Sequence, residues 1–86
     1  MNIRETKIRF KNVMDIQRFV RLPSKYEINA DVFAVNNGRH VVPVDSIMGI
    51  FSLDLTQELR VVFVAGEDDN IMKFIIECEE AGWIVK

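Results

Sequence analysis

Apolar positions recur along this chain with two different periods. Ile28, Ala30, Val32 and Ala34 alternate with Asn29, Asp31, Phe33 and Val35, the period of two that a half-buried strand requires. Asn2 to Phe10 alternates in the same way, with Ile8 and Phe10 opposite Lys7 and Arg9, and predicts a first strand. The run from Glu58 to Ala65 is the most β-prone of all and reads as a central strand. A third strand is expected over His40 to Val44, where Pro43 has no N–H to donate and so belongs at an edge, a bulge or a strand end. Asn36-Asn37-Gly38-Arg39, just before it, supplies residues that tolerate positive φ in a hairpin turn.

The other period is helical. Asn12 suits a helix start, and Val13, Ile16, Phe19 and Val20 follow at helical spacing, so a helix is predicted from Val13 to Leu22, ended or kinked by Pro23. A last helix opens at Gly66-Glu67-Asp68-Asp69 and buries Ile71, Phe74, Ile75, Cys78 and Ala81, with Lys73, Glu77, Glu79 and Glu80 on its wet side. Gly82 suits its C-terminal cap and leaves Trp83 to Lys86 as an exposed tail. Between Val44 and Leu55 lies a short, apolar helix that Ser46 caps. Ile47, Met48, Ile50, Phe51 and Leu53 cannot all face inward on about two turns, so some of them meet solvent or a partner.

The order βαββαβα predicts an α+β fold: an open-faced β-sandwich with three helices on one face of a four-stranded, mostly antiparallel sheet. The 86 residues suffice for one domain, 1–86, and for one core. No run approaches the roughly 20 apolar residues of a membrane span, and the first residues, Met1 to Glu5, lack a signal-peptide core, so a cytoplasmic protein is expected. A net charge of −2 offers nucleic acid no general attraction. With Cys78 the only cysteine and His40 the only histidine, neither an internal disulfide nor a metal site is expected, and no cofactor is implied.

The run Ser46-Ile47-Met48-Gly49-Ile50-Phe51-Ser52-Leu53 closely resembles the regulatory-serine helix of HPr, the histidine-containing phosphocarrier of the bacterial sugar phosphotransferase system. Ser24-Lys25-Tyr26 resembles the end of that family's first helix, and Asn37-Gly38 its hairpin before the serine. The resemblance implies the same open-faced sandwich, with one extra residue in the third strand that a bulge there would absorb. In the family the active histidine begins the first helix, ahead of an alanine-arginine-proline run. Counting back from Ser24-Lys25-Tyr26 places Asn12 at the histidine, Met14 at the arginine and Asp15 at the proline. An asparagine amide lacks the nucleophilic nitrogen of imidazole and cannot take a phosphoryl group, and Asp15 would repel one.

What the resemblance implies is therefore a degenerate, non-enzymatic member: a regulatory or protein-binding module. Ser46 corresponds to the serine that an ATP-dependent HPr kinase modifies, although Asp45 beside it opposes a phosphate. Ile47, Met48 and Phe51 correspond to the patch that docks enzyme I, the serine kinase and a transcriptional repressor. Two alternatives stay open. One is a working phosphocarrier with a non-standard acceptor such as His40; the other is a structural homodimer, for which the exposed Trp83 and Ile84 are the suggestive feature.

Overall fold

In the computed structural model, which describes residues 4–86, eight elements follow one another. They are β1 (Glu5–Ile8), α1 (Val13–Phe19), α2 (Leu22–Tyr26), β2 (Asn29–Ala34), β3 (Val42–Pro43), α3 (Ile47–Phe51), β4 (Leu59–Ala65) and α4 (Asp68–Glu80). Met1 to Ile3, part of the expected first strand and of the run weighed as a signal segment, lie outside the described residues. The strands form one antiparallel sheet in the order β1-β4-β2-β3. The β-prone run over Leu59 to Ala65 thus occupies an inner position, with Val61 opposite Thr6 on one side and Val32 on the other.

Burial alternates along β2, where Ala30, Val32 and Ala34 are covered, and along β4, where Leu59, Val61 and Phe63 are covered. One sheet face therefore carries the core and the other is open, the two-layer arrangement of an α+β domain. Ile16 and Phe19 of α1, Ile50 of α3 and Ile71, Phe74 and Cys78 of α4 join these strand residues in one cluster. At its centre Phe19 meets Phe74 edge-on at 5.6 Å, and Phe74 meets Phe63 at 5.7 Å. Such pairs add about 0.5–1.5 kcal/mol each beyond the area they bury.

The expected first helix is two segments. A continuous helix would drive the Pro23 ring into the carbonyl of Phe19, four residues back, and α1 ends at Phe19. Pro23 then sits in the first turn of α2, where a missing N–H costs nothing, so it starts a helix rather than stopping one. Glu27 closes α2 in the left-handed conformation at φ 53°. Val13, placed in the buried stripe by its spacing, is instead exposed at the first position of α1.

The third strand is two residues, not five, and His40 lies outside it. Val44 N–H donates to the Ala30 carbonyl at 3.0 Å, so alternation turns the donorless nitrogen of Pro43 toward the free edge of the sheet. The register irregularity lies elsewhere: Asn29 is opposite Ala65 and Ala30 opposite Phe63, which places the bulge in β4 rather than in β3. The loop over Asn36 to Arg39 uses no positive φ; Glu27, Gly66 and Gly82 are the positions that do among the described residues.

In the tail Trp83 is buried and Ile84 and Val85 are half-buried, which corrects the expectation of an exposed one. Gly82, at φ 81°, donates to the Glu79 carbonyl at 3.0 Å, and Trp83 N–H donates to the Cys78 carbonyl at 3.0 Å. These paired bonds satisfy the last carbonyls of α4 and reverse the chain. Trp83 is thrown back against Phe10 at 5.6 Å and Phe19 at 6.0 Å and is 1% exposed. The backbone beyond it runs along β1, with Val85 N–H donating to the Lys7 carbonyl at 3.0 Å. The feature that suggested a homodimer is part of the monomer's own core.

Candidate functional site

Ser46 lies in extended backbone at φ −95°, and its hydroxyl oxygen accepts from Gly49 N–H at 3.1 Å, as an N-cap does. Gly49 is required at that point. A Cβ there would stand 2.9 Å from Ser46 Oγ and 2.9 Å from Val42 Cβ, so the absence of a side chain is what lets α3 lie against β3 with its cap intact. Nothing in the sequence flagged this glycine beyond its place in the family-like run.

The five residues of α3 sort by face. Ile50 is fully buried, Leu53 just beyond the helix is buried, and Ile47 is half-buried against the core. Met48 is 77% exposed and Phe51 38%. Two apolar side chains of the expected docking trio thus reach solvent, while the third is shared with the core. α1 packs beside α3 and extends this surface with Val13 and Met14, the latter 64% exposed. Sequence reasoning treated Met14 only as a lost arginine. At the head of α1 a cleft of about 220 Å³ opens, lined by Phe10, Lys11, Asn12, Val13, Ile16 and, from the loop beyond α3, Leu55.

At the head of α1, Asn12 and Asp15 close on each other. Asn12 Oδ1 accepts from Asp15 N–H at 3.0 Å, and Asp15 Oδ2 accepts from Lys11 N–H at 3.0 Å. This is a reciprocal cap close to the box motif, with the carboxylate reaching one residue further back. Asp15 is the one buried acidic side chain among the described residues, at 9% exposure. At the position that the resemblance aligns with a phosphohistidine, the Lys11 and Asp15 N–H groups are therefore engaged by hydrogen bonds internal to the chain.

No family model and no curated protein matches this chain. Its chemistry has to be read from its own groups. His40 Nε2 lies 2.7 Å from Ser52 Oγ, and Ser52 Oγ donates to the Gly49 carbonyl at 2.6 Å. With its single proton so used, Ser52 accepts, and His40 Nε2 carries the hydrogen between them. His40 is a fastener of the β2–β3 loop to the C-terminal end of α3. Asn36 Nδ2, which donates to Asp54 Oδ2 at 3.4 Å, fastens the same loop a second time. Thr56 donates to Asp54 Oδ1 through both its hydroxyl and its backbone N–H, and these donors hold the Asp54 carboxyl below its usual range.

Away from this surface, Ser24-Lys25-Tyr26 has a structural task. Lys25 Nζ meets Glu77 Oε1 at 2.9 Å and the Tyr26 hydroxyl donates to the same oxygen, tying α2 to α4. The two donors depress the Glu77 carboxyl, Tyr26 first, and the carboxylate raises both Tyr26 and Lys25. Cys78 has no exposed surface, and burial pushes its thiol up to about 12. No group of three or more His, Cys, Asp or Glu side chains among the described residues is arranged to hold a metal ion, and no helix among them is long and apolar enough to cross a membrane.

Proposed function

We propose that this chain is an HPr-like module that works by binding proteins rather than by carrying phosphate, with α3 as its docking element and Ser46 as the residue through which a serine kinase switches it. The observation that carries this reading is the coincidence of sequence and exposure at α3. The eight residues from Ser46 to Leu53 resemble the regulatory helix of that family, and they form a serine-capped helix that turns Met48 and Phe51 outward while burying Ile50 and Leu53. Flexible thioether and aromatic side chains held at the surface are suited to adaptable protein contacts. The element order and the sheet order β1-β4-β2-β3 accord with the same kinship.

The loss of phosphotransfer is supported by the closed cap at Asn12 and Asp15. By resemblance, the partners are a serine kinase, a protein like enzyme I and a transcriptional regulator, met in the cytoplasm. The decisive experiment incubates the protein with ATP and an HPr kinase and weighs the products. The wild type is expected to gain one phosphate and Ser46→Ala none; no phosphate, or phosphate on another residue, removes the switch. In parallel, phosphoenolpyruvate with enzyme I is expected to leave no acid-labile adduct, and an adduct would overturn the loss of carrier function.

A further inference from the structure

The sulfur atoms of the described residues fall into two groups. Met48 and Met14 are the two most exposed large apolar side chains, on α3 and in the first turn of α1, a helix that packs beside α3. Met72 on α4 is half-buried, and Cys78 is sealed in the core. A thiol usually reacts before a thioether because its thiolate is the stronger nucleophile. Here burial holds that thiol protonated, so the usual first target is out of reach.

We infer that, among the described residues, Met14 and Met48 are the peroxide-reactive sulfurs of this protein, and that oxidising them makes the exposed faces of α1 and α3 more polar while the fold is kept. The sulfur lone pair attacks one peroxide oxygen, the O–O bond breaks, and the departing hydroxide takes the remaining proton to leave as water. The thioether is oxidised by two electrons to the sulfoxide as the peroxide is reduced. Neither methionine belongs to the buried cluster, so the new S=O dipole enters solvent and removes no core contact. What it removes is apolar area from the surface proposed above for docking. Only this last consequence rests on that reading.

The sequence makes the test clean, because trypsin places these four sulfurs on four peptides, over residues 12–18, 40–60, 61–73 and 74–86, and Met1 on a fifth, over residues 1–4. The folded protein is exposed to dilute hydrogen peroxide and sampled over time. The peptides of Met14 and Met48 are expected to gain about 16 Da roughly tenfold faster than that of Met72, with Cys78 unmodified. Trp83 fluorescence should report an unchanged thermal transition, and retention on a phenyl matrix should fall. The double variant Met14→Leu/Met48→Leu should keep its retention under the same treatment.

Modification of Met72 or Cys78 at an equal rate, loss of the folded transition in step with oxidation, or unchanged retention would each overturn the inference. A separate arm offers oxidised and unoxidised protein to HPr kinase with ATP. Reduced labelling of the oxidised form supports the consequence for docking, and equal labelling sinks it. Absence of labelling on the unoxidised protein removes the docking reading alone, since the peptide and retention arms score the oxidation chemistry without it.

Discussion

Replacing Gly49 by alanine sets two effects of known size against each other. In a helix interior the change from Gly to Ala is worth about 1 kcal/mol in favour of folding. Against it stands geometry: the new methyl would lie 2.9 Å from both Ser46 Oγ and Val42 Cβ. Ser46 can rotate away only by giving up the cap, which costs about 0.5–2 kcal/mol. Val42 cannot rotate away at all, because its Cβ is fixed by the backbone of β3, and overpacking of that kind costs about 1–3 kcal/mol. The sum is a net destabilisation of about 0.5–4 kcal/mol, and at about 4–8 °C per kcal/mol for a domain of this size Tm should fall by at least about 2 °C. Circular dichroism or Trp83 fluorescence would follow the transition.

A double-mutant cycle separates the two clashes. In a Ser46→Ala background the hydroxyl is absent and the cap already lost, so Gly49→Ala should cost less than it does in the wild type, by about 0.5–2 kcal/mol. A rise in Tm for the single variant would refute the reasoning, because it would mean that helix propensity outweighs contact with Val42.

Three further outcomes are expected. Asn12→Ala should lower stability by about 1 kcal/mol, read by urea denaturation, since it frees the Asp15 N–H that Asn12 Oδ1 satisfies; an unchanged midpoint would show that the cap contributes nothing. Glu77 has its carboxyl pKa depressed in the folded state, so its contribution is present above the unfolded value of about 4.3 and is lost as pH falls through the folded value. Glu77→Gln should therefore be less stable than wild type at neutral pH, with the gap narrowing as pH drops below about 4, and parallel curves would contradict this. Glu27→Gly should be neutral to stabilising by up to about 1 kcal/mol, and Glu27→Val clearly destabilising, because the position is left-handed at φ 53°; the reverse order of Tm values would count against the backbone account.

What was legible in the sequence is what local periodicity encodes. The alternation over Ile28 to Ala34 names the buried face of β2, and the cluster of β-branched residues after Leu59 marks the inner strand. Gly82 announces the end of α4. The errors arise where distant contacts decide. Trp83 follows a helix cap and reads as a loose end, yet the aromatic pocket of Phe10 and Phe19, more than sixty positions earlier, takes it in. Pro23 reads as a stop because proline breaks helices, but the same missing N–H suits a first turn, and spacing alone does not choose between the two. The trimming of the third strand to Val42–Pro43 follows from the long loop that His40 and Asn36 fasten to α3 and its end, pairings that no local pattern predicts. At the candidate site the capping role of Ser46 was readable, whereas the space that Gly49 leaves depends on Val42 in another element.

The two helix starts on this surface differ in what they offer a negative charge. At α1 the Asp15 N–H is spent on Asn12, and the Asp15 carboxylate occupies the Lys11 N–H, so an incoming anion would meet two donors already engaged and a negative charge within the first turn. At α3 the first turn carries no acidic residue, and the capping group is a hydroxyl, neutral and itself able to be esterified. Once modified, that oxygen would bring close to two negative charges against the same Gly49 N–H it now caps, with Asp45 as the opposing carboxylate immediately outside the helix. Asp45→Lys should therefore raise the rate at which an HPr kinase labels Ser46 and strengthen the phosphorylated form against heat. If the substitution changes neither, local charge does not govern the proposed switch, and any labelling of Ser46 would have to rest on recognition of Met48 and Phe51.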